Sequence, residues 1–166
     1  MFEIINYIIN HLKNTLSKEM IVFIISLFPI LELRGGMIAA SILNVPFKKA
    51  VLYCVLGNLL PIPFILVFLN KIFELMEKNI YTKKIVLYFK NKALKHKDQI
   101  EKYGYLGLIL FVGIPLPGTG AWTGSLVACI LNLDIKKSFL CIIIGVLLAL
   151  IIMSVVSYGL IGNIIR

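Results

Sequence analysis

The chain has 166 residues, 60% of them hydrophobic and 15% charged, with a formal net charge of +9. A mean hydropathy of +0.96 lies outside the usual range of soluble domains, so the sequence reads as one whose solvent is a bilayer. The basic excess is concentrated rather than spread, and no nucleic-acid reading motif accompanies it, so nucleic acid is not an expected partner.

In chain order, Phe2, Ile5, Ile8, Ile9, Leu12 and Leu16 recur at helical intervals, which predicts an interfacial amphipathic helix over residues 1–19. The opening stretch has no small-residue cleavage site, and no secretory signal peptide is expected. Met20 to Val45 is an apolar run interrupted by "FPILELRGGM". Each flank of that break reads as a helix of about 14 Å, half the hydrocarbon thickness. Two such halves suit a re-entrant hairpin; a single kinked helix is the rival reading. A crossing helix is expected from about Lys49 to Asn70, completing a unit over 20–70.

Between 71 and 103 the lysines cluster, interleaved with Glu74, Glu77, Asp98, Glu101 and apolar side chains, as in a helical linker beside anionic headgroups on the cytoplasmic face. An ordinary solvated connector fits the same residues. A second apolar stretch, about Tyr105 to Asn132, is broken at "IPLPGTGAW", and a second crossing helix is expected from Ser138 to about Ile161, giving a unit over 104–163. Cys54, Cys129 and Cys141 sit in apolar runs without CxxC spacing and read as small hydrophobes. His11 and His96 stand apart, so neither a metal nor a cofactor is expected.

The two units align on one another at a shift of 88 residues without a gap. Phe23 meets Phe111, Pro29 meets Pro117, Gly36 meets Gly124, Asn44 meets Asn132, Lys48-Lys49 meets Lys136-Lys137, and Gly57 meets Gly145. If each unit is a hairpin that returns to its own side followed by one crossing helix, the second unit enters from the opposite side. The expected fold is therefore all-α and membrane-integral: an inverted repeat of two re-entrant hairpins, each followed by a transmembrane helix, with interfacial amphipathic helices. More lysines then fall on the linker side, which favours a cytoplasmic linker.

Backbone broken at membrane depth is tolerated where protein or a watery cavity surrounds it. The two breaks of an inverted pair should meet near the midplane, where secondary transporters build substrate sites. The half-helices starting near Gly36 and Ala121 would aim positive ends at that space, with Thr119 or Thr123 capping the second. Glu32 and Arg34 are costly at this depth and become candidates by default: Glu32 as proton carrier, Arg34 as anion holder or as the partner that neutralises Glu32. A purely structural ion pair is the alternative. Gly35, Gly36, Pro115, Pro117, Gly118, Gly120 and Thr123 complete the expected pathway. Pro115 and Pro117 serve chiefly to stop the helix. Trp122 reads as packing or a substrate platform, and Asn58 as a donor to the loop backbone or a pathway residue.

"PILELRGGM" and "GIPLPGTGAWTG", at this separation, resemble the small multidrug export protein family, a relative of the DedA/SNARE-associated superfamily. The resemblance covers about Ile21 to Ile161. It implies a multi-pass protein of a bacterial-type cytoplasmic membrane with two facing re-entrant hairpins. DedA-type relatives are associated with proton-dependent movement of undecaprenyl phosphate, using acidic residues of the first hairpin and arginines of the second. Glu32 matches the former, whereas residues 114–122 contain no arginine. Three functions follow: a secondary, proton-coupled exporter of a small molecule or anionic amphiphile; a lipid translocase for polyprenyl phosphate; or a non-transporting membrane scaffold acting through the basic linker. No nucleophile–base constellation for an enzyme is present. The expected partners are membrane lipids, the small-molecule or lipid-phosphate substrate and protons. Chains of this size often pair as homo-oligomers, although no interface is visible in the sequence.

Overall fold

The computed structural model describes residues 1–79, 83–84, 86–88, 91 and 97–161. Much of the expected basic linker, including Lys90, Lys92 and Lys95, lies outside the described residues. All elements among the described residues are helical: α1 (Phe2–Leu12), α2 (Lys18–Leu27), α3 (Glu32–Ile42), α4 (Phe47–Leu59), α5 (Ile62–Glu77), α6 (Lys97–Gly113), α7 (Ala121–Ile130), α8 (Ile135–Ser154) and a π-helical turn over Val155–Ile161.

Local chemistry accounts for the boundaries. Ser17 caps α2 by accepting from the Met20 amide, and Asp134 caps α8 by accepting from the Lys137 amide at 2.9 Å. Pro29 removes a donor and disfavours helical geometry at Phe28, which is extended (φ −72°, ψ 135°), so α2 stops at Leu27. Pro61 and Pro63 mark the junction of α4 and α5. Helical geometry passes through Leu60 and Pro61, and α5 runs to Glu77, beyond the end expected at Asn70. Gly104, at φ +57°, kinks α6 close to the expected start of the second unit.

The two asparagines that align 88 residues apart adopt the same backbone. Asn44 (φ 53°) follows α3 and Asn132 (φ 51°) follows α7, both in the left-handed region that asparagine tolerates better than most residues. The Asn44 amide donates to the Ser41 carbonyl and the Val45 amide to Ala40; the Asn132 amide donates to Cys129 and the Leu133 amide to Ala128. Both sets are the two bonds that satisfy the last carbonyls of a helix closed by a left-handed residue.

Packing repeats as well. In each unit the first helix lies against the long helix, α2 on α4 and α6 on α8. Close approaches occur at glycines 88 residues apart: a β-carbon on Gly57 would sit 2.5 Å from the Phe23 carbonyl oxygen, and one on Gly145 would sit 2.6 Å from Val112 Cβ. The units then exchange their ends, with α5 packing on α7 while the end of α8 and the π-helical turn pack on α3. Ser41 Oγ donates to the Ser157 carbonyl at 2.7 Å, and Cys129, its counterpart 88 residues on, directs its thiol at the Ile65 and Leu66 carbonyls at 3.8 and 3.7 Å.

The core runs through both units, from Ile21, Ile25, Leu33 and Met37 to Leu108, Val127, Ile142 and Val146. Outside it, Leu52, Leu56, Leu60 and Phe64 form one exposed apolar stripe and Leu140, Ile144, Leu147 and Ile151 another. Such stripes are a liability in water and suit contact with lipid tails. Phe47–Leu69 and Ile135–Gly159 are long and apolar enough to cross a membrane. Helix α1 buries Ile5 and Ile9 against α2 and α3 and leaves Phe2, Ile4 and Tyr7 exposed.

Gly57→Val should force α2 away from α4 and cost about 1–3 kcal/mol, as overpacking does, read as a lowered unfolding temperature in detergent. Leu56→Ala, one residue away on the exposed stripe, should change stability by no more than about 0.5 kcal/mol.

Candidate functional site

The first break is shorter than the sequence suggests. It spans residues 28–31, and helix resumes at Glu32, so Glu32, Arg34, Gly35 and Gly36 lie on the first turns of α3 rather than in a loop. The glycines are not helix breakers here. They permit close packing: a β-carbon on Gly36 would run into Ser26 Oγ and come within 2.9 Å of Cys54 Sγ.

Glu32 opens α3 in the left-handed region, at φ 50°. That conformation costs a non-glycine residue about 1–3 kcal/mol and persists only when its surroundings hold it. The holding contacts come from the other unit. The carboxylate is 4% exposed and accepts hydrogen bonds from the backbone amides of Ala121 (3.2 Å) and Trp122 (3.1 Å). These are the first amides of α7, whose N-cap residue, Gly120, has no side chain to offer them. A carboxylate at a helix N-terminus forms charge-assisted bonds along a favourable dipole. The expectation that Thr119 or Thr123 caps α7 is thus corrected, because no side chain of α7's own approach caps it.

Arg34 serves the opposite end of the same break. Its Nη1 donates to the Leu116 carbonyl at 2.6 Å, and its Nη2 donates to the Ile114 carbonyl at 3.1 Å and to Thr119 Oγ1 at 2.9 Å. Pro115 and Pro117 keep this stretch out of helical geometry after α6, leaving carbonyls that need donors. The Thr119 hydroxyl lies 3.0 and 2.9 Å from the same two carbonyls. Glu32 and Arg34 therefore do not form the ion pair that their spacing suggested. Among the described residues the ion pair within 4 Å is Lys49–Glu19, at 2.8 Å and well exposed.

Glu32 and Gly120 are themselves 88 residues apart, so each occupies the other's position in its own unit. A β-carbon on Gly120 would overlap the Glu32 carboxylate, and Gly120 has a φ of +133° that side chains rarely adopt. The centre has room for one carboxylate, not two. This is the physical reason that only one of these two positions carries a carboxylate.

Two grooves flank the contact. One, of about 370 Å³, is lined by Glu32, Arg34, Pro115, Pro117, Gly118, Thr119 and Thr123, with Met1 and residues 29–31 at its edge. The other, of about 430 Å³, is apolar and is lined by Trp122, Ile65, Leu69, Phe73 and Leu126; it shares Pro29, Ile30 and Thr123 with the first. The structure thus brings most of the sequence-derived candidates together. Gly35, Gly36 and Gly120 act in packing beside the grooves. Asn58 is buried in α4, lines neither groove, and has an Oδ1 without a partner among the described residues. The Trp122 indole lines the apolar groove, and its backbone amide binds Glu32. Ile65, Leu69 and Phe73 were missed, since on sequence alone they are ordinary crossing-helix residues.

Gly120→Ala should expel the Glu32 carboxylate from the Ala121 and Trp122 amides. The expected loss is about 1.5–3 kcal/mol, the worth of hydrogen bonds to a charged group, measured as thermal stability. Gly118→Ala tests whether any glycine substitution in the break suffices: it also sits at positive φ but would meet nothing within 4 Å, so it should cost less.

Comparison with known proteins returns one family. The model described as "Putative small multi-drug export protein" matches residues 32–152, from Glu32 at the start of α3 through the second break and most of α8. No curated protein and no solved structure matches the chain. With that match covering well over half of the sequence, and with two helices able to cross a bilayer, the chain is a membrane protein that belongs to the small multi-drug export protein family.

Proposed function

We propose that the chain is a proton-coupled exporter in which the two breaks form a gate across the substrate path, held shut by Glu32 on α7 and by Arg34 on the carbonyls after α6. The observation that carries this reading is the buried Glu32 carboxylate bonded to the Ala121 and Trp122 amides. Protonation would turn two charge-assisted bonds, each worth about 1.5–3 kcal/mol, into weaker neutral ones of about 0.5–1.5 kcal/mol. The left-handed strain at Glu32 then favours release. An ionisable group that locks one unit to the other is what coupling proton entry to a rearrangement requires. No chemical step is involved, and the reading is of a transporter rather than an enzyme.

The recurrence of backbone and packing at a spacing of 88 residues supports reading α2–α3 and α6–α7 as facing re-entrant hairpins. On this reading they are inverted about an axis in the membrane plane, in a multi-pass protein of a bacterial-type cytoplasmic membrane. Half-helices of 10 and 11 residues reach about 15–17 Å at 1.5 Å per residue, half of a bilayer core. The reciprocal exchange of α5 onto α7 and of the end of α8 onto α3 suits two units that rock against each other around a fixed centre.

A lipid translocase of the DedA type is the second reading, favoured by one observation. The second break lacks an arginine of its own, yet Arg34 reaches into it and binds Leu116, Ile114 and Thr119. That reading predicts flipping of polyprenyl phosphate or phospholipid by the purified protein in a fluorescent-lipid assay; no flipping removes it.

The deciding variant for the exporter is Glu32→Gln, which keeps the size and an acceptor oxygen but cannot carry a proton. In proteoliposomes it should retain the wild-type fold and lose pH-gradient-driven substrate flux. Undiminished gradient-driven flux would show that Glu32 does not couple protons.

A further inference from the structure

The charged groove and the apolar groove share Pro29, Ile30 and Thr123, so an occupant of one abuts the other. Their volumes, about 370 and 430 Å³, together fall within the roughly 300–1,000 Å³ of drug-sized ligand sites. The apolar arm follows one face of α5 through Ile65, Leu69 and Phe73, which stand four residues apart and extend over about 12 Å of helix. Trp122 and Leu126 of α7 form its other wall.

Charge decides what the polar arm holds. The Glu32 carboxylate is sheltered, since Glu32 is 4% exposed and its carboxylate accepts from two helix N-terminal amides. Arg34 differs: its three acceptors are all neutral oxygens, and a guanidinium carries five N–H donors, so two remain. The accessible charge in the groove is therefore positive and in need of an anion, with the Thr119 and Thr123 side chains alongside.

We propose that the two grooves form one binding site for a free, drug-sized anionic amphiphile, with its head at Arg34 and Thr119 and its apolar part along α5 against Trp122. This deepens the export reading and rests on it for its physiological meaning. The substrate class it names is an organic phosphate, sulfonate or carboxylate with a short chain or ring system. A long lipid tail would overrun the 12 Å arm, and inorganic phosphate would fill only the polar one.

Trp122 is the chain's one tryptophan, so its emission reports on the apolar arm directly. In phosphatidylcholine proteoliposomes, decyl phosphate should shift Trp122 emission saturably, while decyltrimethylammonium, decyl maltoside and inorganic phosphate should not. Leu69→Phe, which fills the arm without touching Arg34 or Glu32, should raise the half-saturating concentration at least about ten-fold, or 1.4 kcal/mol, at an unchanged unfolding temperature. Arg34→Lys, which keeps the charge but loses the fork, should weaken decyl phosphate while leaving the decyl maltoside response flat. An equal response to the cationic or neutral amphiphile would overturn the charge assignment. A Leu69→Phe protein that is folded and binds as the wild type would overturn the groove. Loss of the decyl phosphate response in vesicles containing phosphatidylglycerol would assign the site to a membrane lipid instead. Binding without pH-gradient-driven flux leaves this inference standing and removes the export reading; driven flux of decyl phosphate without a Trp122 response does the reverse.

Discussion

Broken backbone in an apolar protein must find partners, and the two breaks here find them in each other. Residues 114–120 leave carbonyls behind α6 and amides ahead of α7 without helical partners. The start of α3, just past the first break, supplies both a donor, Arg34, and an acceptor, Glu32, from two residues on the same turn. Two charged side chains that would each be costly alone in a bilayer are thereby matched to dipoles of opposite sign. Removing either would leave backbone groups without partners, so the interaction belongs to the fold as much as to the site.

The same constraint explains the asymmetry of a nearly symmetric chain. Elsewhere, positions 88 residues apart behave alike, as Asn44 and Asn132, Gly57 and Gly145, and Ser41 and Cys129 show. Where Glu32 meets Gly120, its own counterpart in the alignment, identical residues would bring two identical groups into one space. Two carboxylates there would collide and repel; a carboxylate opposite a glycine fits. On the reading proposed above, a single titratable group at the point where both units touch can influence both at once.

Most helices were visible in the sequence, through their prolines and the length of their apolar runs, although the caps Ser17 and Asp134 were not. The 88-residue similarity also pointed to the pairing of Gly57 with Gly145 and of Asn44 with Asn132. The extent of the first break was less legible. Gly35-Gly36 looks like a loop by composition, whereas packing against Ser26 and Cys54 uses the glycines inside a helix. Nor does spacing along one chain show that Glu32 and Arg34 take separate hydrogen-bond partners, because those partners lie 80 to 90 residues away. One signal was present and is easily passed over: Glu32 aligns with Gly120, a large charged residue against the smallest. In a repeat, that mismatch marks a place where the two units share one volume.

The most direct test of the central contact is amide hydrogen exchange at Ala121 and Trp122 in the wild type and in Glu32→Ala. If the Glu32 carboxylate is the cap of α7, those two amides should exchange at least about ten-fold faster in the variant, a change of 1.4 kcal/mol or more in protection. Amides in the middle of α3 and α8 should keep their wild-type rates. Unchanged exchange at Ala121 and Trp122 would mean that the first break does not hold the second, and would contradict the account at its centre.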